Sequence, residues 1–410
     1  LPVALRRPYY GWIILAACFL VTTFAYGVQY SFGVFLNPLK EDFEWTPAMI
    51  AWVPGLFMFF ICVFGLFAGW FTDRFGPRLI VGIGGFFIGL GLVLTSLLTT
   101  PWQIYVYYSL MVGFGTGCAG PPIFTTASRW FVKRRGLALG IVATGIGLGT
   151  VIIAPAARWL ISEYDDDWRF PCRVIGFAAW AIIAAALLLK KEPGEAPPHG
   201  GTNDQTRDTS PGAMEGLTLA QAVRTNTLWL LVLLHIFAYT GLLMVMYHVV
   251  AYAEDMGIEE ITAATLLSVI GGVGIAGRIG GGIASDKLGR KPIFIFALLL
   301  QAAMMVWLAK STSVWMFYVV AAFWGLGYGA WAPLMPALTA ELFGLRHMGS
   351  ILGVVSTSFG IGGILGPAIA GNTYTDTDSY STAFLIGGVV MFLGAMIIPL
   401  LKQPKVAEAY

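Results

Sequence analysis

The chain has 410 residues; 57% are apolar or aromatic, 11% are charged, 51 are glycine, and the net charge is +2. Soluble domains carry about 25% charged residues, so this composition excludes a soluble enzyme and supplies roughly a dozen membrane spans of about 20 residues. Disorder and nucleic-acid binding are excluded too, because net charge is small and no basic block is long enough to track a phosphate backbone.

Leu1 to Tyr10 carries Arg6 and Arg7 ahead of a long apolar run that lacks an A-x-A-like cleavage site. It reads as the basic flank of a first membrane helix rather than as a secretory signal. Polar clusters then divide the chain into twelve apolar stretches: 11–36, 47–71, 78–98, 102–128, 137–161, 172–189, 226–252, 262–284, 292–309, 314–340, 350–372 and 382–401. Between the sixth and seventh lies a long polar segment with Pro193, Pro197, Pro198, Gly200, Gly201 and Pro211, the composition of a linker. The expected organisation is a six-helix bundle over 1–190, a linker over 191–224 and a second six-helix bundle over 225–410. The four cysteines, Cys18, Cys62, Cys118 and Cys172, show no spacing for a disulfide framework or a zinc site. No cofactor or metal is expected.

Charge sets the orientation. With both termini and the linker on one face, that face holds eighteen of the 24 Lys and Arg residues. The opposite loops and helix ends hold Lys40, Arg158, Arg169, Arg173 and Lys310, and acids favour that second side. The positive-inside rule makes the first face cytoplasmic. The remaining basic residue, Arg278, lies inside a span.

The two halves repeat at an offset of about 212–213 residues. Gly69-Trp70-Phe71-Thr72-Asp73-Arg74-Phe75-Gly76-Pro77-Arg78 recurs as Gly282-Ile283-Ala284-Ser285-Asp286-Lys287-Leu288-Gly289-Arg290-Lys291. Gly113, Gly115, Gly117 and Pro121 recur as Gly325, Gly327, Gly329 and Pro333, and Phe24-Ala25-Tyr26 as Phe237-Ala238-Tyr239. So many matches in one order indicate duplication, and two similar bundles about a central axis can rock against one another.

The paired Gly-x-x-x-Asp-(Arg/Lys)-x-Gly-x-(Arg/Lys) loops after the second and eighth spans resemble the signature of the major facilitator superfamily. Two further segments, Tyr10-Gly11-Trp12 and Trp130-Phe131-Val132-Lys133-Arg134-Arg135-Gly136-Leu137-Ala138-Leu139-Gly140 with Gly145, resemble the signatures of its monocarboxylate transporter family. The resemblance covers everything but the linker and looks like a bacterial, lactate-type member. It implies twelve transmembrane helices in two pseudo-symmetric bundles, a multi-pass plasma (inner) membrane location, and function as a monomer.

Arg278 stands eight residues before Asp286, hence about 12 Å along a helix at 1.5 Å per residue. That places it near the middle of a hydrocarbon core of about 30 Å. A charge there must face a watery cavity or a partner, and the residue one turn before it is Gly274. One reading is a structural tether to a carbonyl or another helix. The other takes a substrate carboxylate as the counter-charge, held bidentately. The resemblance implies the second, since the family carries a carboxylate-binding Arg at the matching position. Animal relatives also carry an Asp one turn before it and a Lys in the first helix; this sequence has Gly274 and Tyr30 there, so their proton pathway does not transfer.

Tyr26 and Tyr30 share one helix face, Tyr239 is the repeat mate of Tyr26, and Tyr328 sits between Trp324 and Trp331. Spans 1, 4, 7 and 10 line the cavity in the superfamily, so these tyrosines are candidate substrate contacts, giving phenol hydrogen bonds and an apolar wall. Ordinary packing or interfacial tyrosine is the plain alternative. His235 is a candidate for proton coupling and His248 a weaker one, against the alternative of a packed, backbone-bonded imidazole. Asp73, Arg74, Asp286 and Arg290 are candidate gate residues, with each Asp placed to meet a helix N-terminus or a basic loop. The glycine runs precede no Lys-(Ser/Thr), so they form no phosphate loop; small residues instead let helices approach.

The expected function is secondary transport of small monocarboxylates of the lactate or pyruvate class by alternating access, with a proton moving in the same direction. An anion exchanger of the oxalate/formate type is the alternative, although a dianion favours a second central cation that no span supplies. An enzyme is not expected, because no nucleophile–base or metal constellation is present.

Overall fold

The structure is a computed structural model describing residues 10–43, 47–164, 167–191 and 216–404. Arg6, Arg7, Asp165, Asp166, Arg207, Lys405 and the prolines of the expected linker lie outside the described residues. The first half runs α1 (Gly11–Ser31), α2 (Pro47–Phe75), α3 (Pro77–Thr95), α4 (in pieces from Trp102–Ile104 to Gly120–Trp130), α5 (Arg135–Glu163) and α6 (Arg169–Ala179 with Ala181–Leu188). The second runs α7 (Asn226–Asp255), α8 (Glu260–Leu288), α9 (Arg290–Leu308), α10 (Val314–Trp331 with Leu334–Phe343), α11 (Met348–Thr377) and α12 (Ser381–Ile397). Among the described residues, eleven helical stretches are long and apolar enough to cross a membrane. This is a multi-pass membrane protein.

The exception is α4. It begins with Trp102–Ile104, becomes a π-helix over Tyr105–Val112, regains α geometry at Gly113–Gly117 and turns at Cys118 and Ala119 before Gly120–Trp130. Pro121 and Pro122 have no N–H to return to the carbonyls of Gly117 and Cys118, so regular hydrogen bonding stops there. Its repeat mate α10 breaks one half later, at Ala332 and Pro333. Both interruptions face the middle of the molecule.

Each half has its own apolar core, one running from Ile14 to Leu189 with Ala337 added, the other from Leu217 to Leu401. Repeat mates make equivalent contacts: α1 packs on α5 as α7 does on α11. Between halves the large contacts are α2 with α11 and α5 with α8. Gly76 (φ 84°) ends α2 and Gly289 (φ 91°) ends α8. With ψ of 164° and 156°, both occupy a region open essentially to glycine alone, which permits the abrupt turn into the next helix.

The end of the expected linker is helical. Thr218 and Gln221 form a reciprocal capping box on the short helix Leu219–Val223, and the Leu217 N–H donates to the Phe343 carbonyl at 3.0 Å. The end of the segment therefore belongs structurally to the second half.

Candidate functional site: a central cavity between the two halves

A cavity of about 110 Å³ lies between the halves. Its wall takes Tyr26 and Tyr30 from α1, Cys62 from α2, Phe124 from α4, Tyr239 from α7, Tyr328 and Met335 from α10, and Ser356 and Phe359 from α11. The four tyrosines named by the sequence thus meet at one place. Cys62, Phe124, Met335, Ser356 and Phe359 were not expected; single apolar or small residues within apolar runs give no sign of the face they occupy.

Arg278 is 2% exposed and stands behind Tyr328, its guanidinium 4.9 Å from the centre of the tyrosine ring. Gly274 and Gly147 provide the room: a Cβ on them would stand 3.4 Å and 3.2 Å from Arg278 Nη1. Among the described residues no carboxylate pairs with Arg278, and its Nε and Nη1 have no hydrogen-bond partner. A buried donor left so costs about 1–3 kcal/mol, and the stacking on Tyr328 returns about 0.5–2 kcal/mol. Two donors of Arg278 thus remain to be satisfied.

The Tyr239 hydroxyl donates to the Met335 sulfur at 3.3 Å. His235 lies outside the cavity wall, fully buried against Phe294. Its Nδ1 is 2.7 Å from the Leu231 carbonyl, which can only accept, so Nδ1 carries a proton. Its Nε2 has no partner among the described residues. His248 lies further along α7, its ring 5.0 Å from that of Tyr380.

Below the cavity, on the face bearing the basic loops, the halves are clamped. Asp73, at the end of α2, accepts from the N–H groups of Gly349 (3.2 Å) and Ser350 (2.8 Å), from the Ser350 hydroxyl (2.7 Å), and from Arg129 (2.9 Å). Arg129 also donates to the carbonyls of Leu345 and Arg346. Asp286, the repeat mate, accepts from the N–H groups of Gly136 (2.8 Å) and Leu137 (3.0 Å). Each carboxylate thus meets the N-terminus of a helix from the other half, where unsatisfied N–H groups and the helix dipole favour negative charge. Small residues allow the approach: a Cβ on Gly69 would overlap the Gly349 carbonyl, and one on Gly282 the Gly136 carbonyl.

The other two gate candidates sit elsewhere. Arg74 is exposed and stacks on Trp70 and Phe75, while Arg290 pairs with Glu341 inside its own half. Arg129 joins the Asp73 contact, although the sequence counts it only among the charges of the basic face. Its signal was available: a basic residue at the end of α4, facing the loop that carries Asp73.

Two six-helix bundles with a cavity between them are the architecture of a multi-pass membrane transporter. The chain belongs to the Major Facilitator Superfamily, whose family model matches residues 18–284 and 279–409. It is similar to monocarboxylate transporter 13 of Bos taurus, 28% identical over 95% of this chain and 88% of that protein. The agnestins efflux protein AgnL12 of Paecilomyces divaricatus is also 28% identical, over 95% of this chain and 87% of that protein. In fold it resembles the solved proton:xylose symporter XylE, with a TM-score of 0.78, 16% identity and 97% coverage of both chains.

Proposed function

We propose that the protein is a secondary active transporter of small monocarboxylates of the lactate or pyruvate class, carrying a proton in the same direction. Arg278 is the observation that carries this reading: a buried guanidinium beside the cavity, with no carboxylate partner among the described residues. A substrate carboxylate would neutralise it and accept its free donors, so that a loaded cavity closes at low cost while an empty one buries an unpaired cation. Tyr26, Tyr30, Tyr239 and Tyr328 would offer hydroxyls and ring faces to the rest of a small acid. Similarity to a monocarboxylate transporter over nearly the whole chain supports the substrate class.

Arg278 supplies one cation beside the cavity and the described wall adds no Lys, Arg or His, which favours a single negative charge over the dianion of an oxalate/formate exchanger. The basic face would be cytoplasmic by the positive-inside rule, in a plasma membrane. The parts 1–190 and 225–410 would rock about the cavity with the linker between them, each protein acting as a monomer. Asp73, Arg129 and Asp286 would then hold the cytoplasmic gate, with His235 as a candidate in proton coupling.

The test is direct. Arg278→Gln, purified and folded, should lose uptake of labelled lactate in proteoliposomes; retained uptake sinks the assignment. Lactate added to wild-type proteoliposomes should acidify the lumen, read by an internal pH dye. Uptake without acidification would replace symport by uniport or exchange.

A further inference from the structure

One buried polar side chain has no part in that reading. Gln301 of α9 is fully buried. Its Oε1 accepts the Trp331 indole N–H at 2.7 Å, and its amide nitrogen donates to the Trp324 carbonyl at 3.4 Å. Both partners lie in α10 and flank Tyr328, one turn before the helix breaks. Gly327 admits the side chain, since a Cβ there would stand 2.8 Å from the Gln301 Cγ.

Trp331 is itself fully buried and is not part of the cavity wall. Its ring meets Tyr239 edge-on at 5.4 Å and Tyr328 at 5.9 Å, at interplanar angles of 72° and 64°. Those are the two tyrosines that the second half gives to the cavity, and Tyr328 carries the Arg278 guanidinium. Trp324 supplies a contrast on the same helix: its indole N–H is buried without a partner among the described residues. An apolar environment alone therefore tolerates a tryptophan here. What Gln301 adds is one fixed orientation of Trp331, through a short, directional bond from a neighbouring helix.

We propose that Gln301 is a positioning residue of the carboxylate site, holding the Trp331 indole so that Tyr239 keeps its place in the cavity wall and Tyr328 its orientation against Arg278. The inference rests on the reading of that site given above.

Labelled-lactate uptake in proteoliposomes tests it, with KM and the maximal rate per folded transporter measured separately. Gln301→Leu should raise KM about tenfold, a loss of about 1.4 kcal/mol of binding, and change the maximal rate little. Trp331→Phe keeps the ring stack and removes the same N–H, so its KM should rise by a similar factor. The double variant should be no worse than either single one, because both remove one interaction. Additive effects, or a lowered melting temperature with wild-type KM, would overturn the proposal and leave Gln301 as packing. If Gln301→Leu fails to fold, a wild-type KM in Trp331→Phe overturns it alone. Arg278→Gln, run alongside, separates the two readings. Its retained uptake defeats the carboxylate site itself, whereas its loss combined with a wild-type KM in Gln301→Leu defeats only the positioning role.

Discussion

At the residue scale, the stacking of Arg278 on Tyr328 is the contact most open to test. The ring contributes through its face, so Tyr328→Phe should retain most guanidinium support and Tyr328→Leu should lose it. A loss of about 1–2 kcal/mol corresponds to roughly a 5- to 30-fold rise in KM. Uptake kinetics of the two variants measure this; equal effects would assign the role to the hydroxyl instead. Arg278 was readable in the sequence because a charge at membrane depth stands out against an apolar background. The tyrosines were readable by their spacing and their repeat mates. Gln301 was not, since one neutral polar residue in an apolar run does not reveal whether it meets lipid, a backbone or an indole. That Arg278 lies behind Tyr328, rather than in the wall itself, is also a matter of helix rotation that hydropathy does not encode.

At the element scale, the proposed gate consists of two helix ends meeting two helix starts. The Arg129–Asp73 pair is nearly dry, with side-chain exposures of 6% and 7%. Breaking such a pair costs about 3–5 kcal/mol, because the remaining charge stays buried; Arg129 keeps its bonds to Leu345 and Arg346, so the lower figure applies. Asp73→Asn should therefore favour opening on the basic face. Cys62 is a native reporter, since it lines the cavity while Cys18, Cys118 and Cys172 are buried. In vesicles exposing the basic face, a membrane-impermeant thiol reagent should label Cys62 several-fold faster in Asp73→Asn than in the wild type. An unchanged rate would mean that the Asp286 clamp alone keeps this side shut. The loop sequences announced the Asp positions and the kind of partner, a helix N-terminus or a basic residue, but not which ones, because Gly349, Ser350, Gly136 and Leu137 contribute backbone N–H groups. The broken α4 was hidden for a related reason: hydropathy reads residues 102–128 as one span, whereas the π-turn and the paired prolines act on hydrogen bonding. The linker expectation covered the Thr218–Gln221 capping box, a Thr-x-x-Gln helix start masked by the Pro- and Gly-rich composition before it.

At the scale of the whole molecule, the duplication explains why the clamp is built twice. α2 and α8 are repeat mates, as are α5 and α11, so the α2–α11 and α5–α8 contacts are two copies of one interface. A rocking motion that opens the basic face must separate both. The Asp73 carboxylate and the Ser350 hydroxyl are 2.7 Å apart across the first of them, so a short, reducible bis-thiosulfonate linker can bridge cysteines placed at these positions. Cross-linked Asp73→Cys/Ser350→Cys should hold the basic face closed and abolish net lactate uptake, and reduction should restore it toward the level of Asp73→Asn. Mass spectrometry of the intact protein counts the bridge formed, so activity can be compared with bridged fraction. Uptake that persists in fully bridged protein would show that α2 and α11 need not part. The substrate would then leave by a route other than separation of the two bundles, and the symmetry of the clamps would serve folding alone.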